Sequence, residues 1–177
     1  NTGDGIATSS TCTISGCAAR GNGGVGFSFT TACTLSDCAA FVNTGDGFSS
    51  IFDGNTLHNC DANNNTGDGF DIDYTATIVN CAAYYNSGDG FRVSSRNVLI
   101  GNAASYNGRG ASGGAGINLI GQDNRVEGNN CTVATYGIRA ITSGNFITRN
   151  VCSGNTTNWD IAAGNTNLSE RTEEQAS

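Results

Sequence analysis

Gly-Asp-Gly triplets centred on Asp46, Asp68 and Asp89 recur at intervals of 22 and 21 residues, and a fourth is centred on Asp4. Carboxylates repeated at a fixed interval suit two kinds of chemistry. They can gather round a hard cation such as calcium, which takes about six to eight oxygens, or accept hydrogen bonds from the amides of their own turns. A second set is Asp71, Arg92, Asn118 and Arg139, each following a recurring Phe or Ile, with Asp73 nearby. Acids and arginines on one face suit a saccharide; they equally suit cross-strand ion pairs on a solvated surface. The third set is eight cysteines in three runs: Cys12 and Cys33; Cys17, Cys38, Cys60 and Cys81; Cys131 and Cys152. His58 is the single histidine, with no second His or Cys at ligand spacing, and reads as a surface residue.

The elements that must position these groups follow from a repeat. Each triplet sits in N-x-G-D-G-[FI], seen at 1–6, 43–48, 65–70 and 86–91, with a weaker copy at 22–27. The closing apolar residue forms a column: Ile6, Phe27, Phe48, Phe70, Phe91, Ile117, Ile138 and Ile161, at intervals of 21 to 26 residues. A second column reads Ile14, Leu35, Leu57, Ile78, Leu99, Val126 and Ile147. A third is small: Ala19, Ala40, Ala62, Ala83, Ala104, Cys131 and Cys152. Within Phe70-Asp71-Ile72-Asp73 and Phe91-Arg92-Val93-Ser94 apolar and polar residues alternate, the period of a strand with one face buried.

Like residues recurring at one coil length mean that like stacks on like, about 4.8 Å apart. One coil cannot bury its apolar face, but a stack can. The fold predicted is therefore all-β, a single-stranded right-handed parallel β-helix of about eight coils of 21–23 residues. It occupies residues 1–168, and a polar tail follows at 169–177. A five-residue insertion within 108–115 lengthens one corner. A helical solenoid would need apolar spacings of three and four over ten or more residues, which no segment supplies. A calcium β-roll repeats every nine residues, not every 21. The glycines before Phe or Ile fit corners that need positive φ or close backbone approach.

Composition narrows the function classes. The net charge of −7, with basic residues that are all arginine and widely spread, argues against nucleic-acid binding. No apolar run approaches the length of a membrane span. The absence of Met shows that Asn1 is not a translation start, so the chain reads as a processed form or a fragment.

These columns, with the later Gly-Asn-Asn-Cys and Arg-Asn-Val-Cys-Ser-Gly-Asn-Thr-Thr-Asn-Trp-Asp-Ile stretches, resemble the pectate-lyase-like right-handed parallel β-helix superfamily over nearly the whole chain. The resemblance implies the fold and leaves the activity open, since lyases, hydrolases, epimerases, adhesins and surface proteins share it. No segment matches a lyase motif residue by residue, so no catalytic residue is assigned; were the chain an enzyme, polysaccharide lysis or glycoside hydrolysis would be its class. Two functions are expected. One is an extracellular or cell-surface structural role, with subunits joined head to tail through uncapped end coils and a held tail into filaments. The alternative is a carbohydrate-active or glycan-binding module. No cofactor is expected, with calcium at Asp46, Asp68 and Asp89 as the open exception. An extracellular setting and even-numbered columns also predict bridges Cys12–Cys33, Cys17–Cys38, Cys60–Cys81 and Cys131–Cys152. Stacked Cα atoms fall in the disulfide range, although parallel Cβ vectors would have to tilt together.

Overall fold

The structure, a computed structural model, describes residues 1–110 and 113–168. These form about eight turns of parallel solenoid with three parallel sheets and no α-helix. The first sheet has eight strands, from Ile6–Ala7 to Thr157–Ile161; the second has eight, from Thr13–Ser15 to Thr166–Asn167; the third has seven, from Ala18–Arg20 to Val151–Ser153. Each strand pairs with the strand one coil away. The predicted tail at 169–177 lies outside the described residues, as do residues 111 and 112 of the insertion.

The inward columns form as their periodicity requires. Phe27, Phe48, Phe70 and Phe91 are fully buried, and their rings stack with centroids 4.8, 4.8 and 4.7 Å apart. Leu35, Leu57, Ile78, Leu99, Val126 and Ile147 fill the second sheet's inner face, and the small column from Ala19 to Cys131 fills the third's. One assignment is corrected. Ile138 pairs with Trp159, so the first column ends in Trp159, and Ile161 pairs with Ala140 in the neighbouring inward row. The Thr157–Ile161 strand continues the regular interval, and a tryptophan fills a place that an aliphatic residue was expected to take.

The corners explain the glycines and asparagines. At each corner one residue takes the left-handed backbone conformation, for example Arg96 (φ 63°), Asn80 (φ 53°) and Tyr85 (φ 58°). The residue after it points inward and is usually Asn. Asn86 shows the pattern. Its Oδ1 accepts from the backbone N–H (3.0 Å) and Nδ2 (3.0 Å) of Asn65, one coil back. Its own Nδ2 donates to Ala62 O at 3.1 Å and to Asn107 Oδ1 at 2.9 Å. Such ladders satisfy buried corner amides that no sheet bond can reach. The Gly-Asp-Gly corners need glycine for close approach. A Cβ on Gly67 would lie 2.1 Å from Asp46 Oδ1, and one on Gly69 would lie 2.6 Å from Gly90 O.

The cysteines occupy the same columns and are all free thiols, so the four predicted bridges are not formed. Ladder stacking brings each predicted pair together, but the sulfurs carry hydrogen bonds and no bridge joins them. Cys12 Sγ donates to Cys33 Sγ at 2.8 Å. Cys60 N–H donates to Cys81 Sγ at 3.4 Å, where an Asn oxygen would otherwise accept, and Cys81 N–H resumes the ladder at Asn102 Oδ1, 2.8 Å. Cys131 stacks on Cys152 in the small column. The hydrogen bond to the neighbouring thiol and then burial push the Cys81 and Cys131 thiols up. Here Cys acts as a small hydrophobe with a weak hydrogen bond.

Two outcomes follow. Replacing Phe70 by Ala opens a cavity in the middle of the ring stack and costs about 3–5 kcal/mol in denaturant unfolding. Thiol titration of the denatured, unreduced protein returns all eight cysteines; a count of zero would restore the bridges.

Candidate functional site

The outer face of the first sheet presents Ser49, Asp71, Arg92, Asn118, Arg139 and Asp160 on successive coils, because each is a ladder partner of the next. The alternation that buries Phe70 and Ile72 turns Asp71 and Asp73 outward. Asp71 and Arg92 form an ion pair at 2.5 Å (Oδ1 to Nη1). Asn118 Nδ2 donates to Asp89 Oδ2 at 2.7 Å, while its buried Oδ1 has no partner among the described residues. Arg139 is turned from this group: its Nε bonds Asp160 Oδ2 at 3.0 Å, and its guanidinium lies 4.8 Å from the centre of the Tyr136 ring. Four of the five predicted saccharide residues are thus gathered over three coils, and Arg139 belongs to a neighbouring pair.

Asp46, Asp68 and Asp89 line the edge of this face. Asp46 Oδ1 accepts from Asp68 N–H at 2.8 Å, Asp68 Oδ1 from Asp89 N–H at 2.6 Å, and Asp89 Oδ1 from Ala115 N–H at 2.6 Å. Asp4 does the same for Val25 N–H at 2.8 Å. One oxygen of each carboxylate is thereby committed to an amide one coil on, and Asp89 commits both. Among the described residues no three His, Cys, Asp or Glu side chains converge in a group that could hold a metal. The donor set fits the turn amides. Burial raises Asp46 above the usual carboxylate range, and burial followed by the charge of Asp89 raises Asp68 to about 7. Asp73 is raised by burial and then by Asp71.

A cleft of about 240 Å³ opens where these strands run into the first corner, lined by Ile51, Phe52, Asp53, Tyr74 and Arg96. Tyr74 ends the strand that carries Asp71 and Asp73, and Arg96 follows the strand that carries Arg92. The cleft is therefore continuous with the acidic and basic strip, about 10–13 Å along the strands. Its floor is held from within. Ser50 takes an inward position where the next coils have Ile72 and Val93. Its Oγ accepts from Phe52 N–H (3.2 Å) and from Asn55 Nδ2 (3.1 Å). The bend this creates leaves Ile51 64%, Phe52 45% and Tyr74 40% exposed. The cleft residues were not singled out from the sequence. Their signal was the adjacent Ile51-Phe52 in the one early coil of 22 residues, between polar neighbours. His58 is exposed on the second sheet.

An all-β parallel coil with apolar stacks inside and a charged strip along one outer sheet face defines a β-helix. The chain belongs to the right handed beta helix region family, whose sequence pattern matches residues 1–103. Among solved structures it is similar to the A-module of mannuronan C-5 epimerase AlgE4 from Azotobacter vinelandii, with 16% identity and a TM-score of 0.60. The likeness covers 91% of this chain and 65% of that one, so the chain spans less than two thirds of the module. At that identity the likeness concerns the fold. No curated protein sequence matches the chain. No helix among the described residues is long and apolar enough to cross a membrane.

The Asp ladder generates a pH dependence. The folded protein holds a proton on Asp68 up to about pH 7, whereas an unfolded Asp loses it near 3.9. The folded state binds more protons between those values, so stability falls as pH rises from about 4 to 7. Asp46 and Asp73 shift in the same direction. Asp68→Asn keeps an oxygen for the Asp89 amide without the charge. Melting temperatures across that range should fall in the wild type and flatten in the variant, with the variant the more stable at pH 8. An unchanged slope would show that the Asp68 carboxyl is not the titrating group.

Proposed function

We propose that this chain is an extracellular saccharide-binding β-helix that holds a short stretch of polysaccharide along the outer face of the first sheet. The observation that carries this reading is the cleft. Exposed Phe52 and Tyr74 rings stand beside Asp53 and Arg96, neither of which has an ion-pair partner among the described residues. An apolar wall with a few convergent polar groups is what a small-molecule site requires. The rings take the apolar face of a sugar, Asp53 and Asp73 accept from hydroxyls, and Arg96 pairs with a carboxylate where the sugar is acidic. Asn118 Oδ1 is a further acceptor. The epimerase module is named for mannuronan, a polyuronate, which makes uronate polymers the first ligands to test.

Titration calorimetry against neutral and uronate oligosaccharides tests the proposal. Phe52→Ala, Tyr74→Ala and Arg96→Ala should each weaken binding about tenfold, on the order of 1–2 kcal/mol, and leave the melting temperature near that of the wild type. No binding to any saccharide, or binding indifferent to all three changes, would sink it. The proposal is one of binding; release of unsaturated uronate would replace it with a lyase.

A further inference from the structure

We propose that two copies of this chain pair side by side, in antiparallel orientation, through the outer face of the third sheet and the corner ridge beside it. The ridge is the column of left-handed residues that leads from the third sheet back to the first. The left-handed conformation disfavours bulky and β-branched side chains and suits Gly and Asn. At the other two corners this position is held by small, polar or charged residues such as Gly54, Asp123, Gly128 and Asn80. The ridge instead carries Val42 (φ 56°), Tyr85 (φ 58°), Tyr106 (φ 56°) and Val133 (φ 53°). All four are exposed. Tyr85 and Tyr106 gain a ring stack within the chain, but Val42 and Val133 are β-branched, half-exposed and on a disfavoured backbone, and strain of that kind points to a contact made elsewhere.

The occupant follows from charge, area and order along the column. Each copy carries −7, which opposes association unless the meeting surfaces are uncharged. Across the two outward rows of the third sheet and the ridge, Arg20 and Asp61 are the only charged residues. The rows also carry Asn63, Asn130, Ser105, Thr132 and Ser153, uncharged polar groups that bring no repulsion between two copies. The Tyr85 and Tyr106 rings stack on each other at 4.9 Å, and Arg109 lies 5.3 Å from the Tyr85 ring centre, so their faces are largely taken and their edges point out. The surface measures roughly 34 Å by 13 Å, on the order of 450 Å² per copy. That is below the roughly 800 Å² per partner of a standard interface and matches a weak dimer.

The ridge is also close to a palindrome. Its seven positions begin and end on glycine, Gly21 and Gly154; Val42 and Val133 come next; Asn64 and Tyr106 flank Tyr85 at the centre. A two-fold axis through Tyr85 reverses the coil order and sets Val42 of one copy opposite Val133 of the other. Self-complementarity of this sort is what an isologous interface needs.

Sedimentation of the 177-residue chain over a concentration series reads the dimer. Val42→Asp and Val133→Arg should each raise the dimer dissociation constant about tenfold or more, and the two together should restore association, because each Asp then faces an Arg. Both residues suit the backbone, since Asp123 and Arg149 already occupy the left-handed conformation. Tyr85→Asn with Tyr106→Asn should abolish the dimer while the melting temperature holds or rises, as Asn64 holds the same column; a purely structural role for the tyrosines would lower it. Saccharide binding at the cleft should be unchanged in all of these variants. A chain that stays monomeric at every concentration would overturn the proposal. So would association indifferent to the ridge variants, as head-to-tail contact would give, or a ridge that binds saccharide instead.

Discussion

Everything in this molecule depends on turning a strand three times per coil without leaving a buried amide unsatisfied. A parallel sheet bonds its strands through evenly spaced amides, but a corner breaks that pattern. The chain breaks it with one left-handed residue, which costs about 1–2 kcal/mol for a residue other than glycine. The inward Asn that follows offsets the cost, because its amide side chain both accepts and donates along the axis. Each ladder bond needs the neighbouring coil in register. The corners thus set the register, and the register in turn brings Phe onto Phe and Leu onto Leu.

Once register is set, the outer surface becomes a set of rows that can vary without disturbing the core. The first sheet's row changes from Ser49 to Asp71, Arg92, Asn118 and Arg139, while the inward Phe and Ile column hardly changes. Asp71 and Arg92 pair because stacking places them side by side, and both remain about a quarter to a third exposed, at 24% and 35%. A pair so placed adds little to stability and stays accessible to a ligand. The Asp46–Asp68–Asp89 edge differs. There the carboxylates serve the backbone, and half-buried Asp68 accepts from the next coil's amide in spite of its acidic neighbours.

The columns made the fold legible from the sequence. Period-two alternation in Phe70-Asp71-Ile72-Asp73 also located the outer row, so Asp71, Asp73, Arg92 and Asn118 were found together. Three things were not visible. Trp159 ended the first column in place of Ile161, because both are apolar and two residues apart, and only ladder register distinguishes same-face neighbours. The cysteines were read as bridges since their spacing matches a coil; spacing gives adjacency but not bonding, and all eight are free thiols. The cleft was missed because Ile51 and Phe52 look like a strand continuing. The one-residue lengthening of that coil and the inward Ser50 push them out, and a serine's hydrogen bonds to Phe52 and Asn55 cannot be read from a column.

The fold also explains why recognition at the cleft and association at the ridge can coexist. Both use corners, and corners are where a β-helix can change a side chain or add a residue without breaking the strands on either side. The cleft arises at the first corner from an added residue, buttressed by Ser50. The ridge lies at the third corner, where large residues stand in the left-handed position and one coil carries the five-residue insertion within 108–115. With the first sheet's strip between them, two copies joined at the third corner would keep both clefts open, so a weak dimer would present two saccharide sites to one polymer, and avidity would then exceed the affinity of either site.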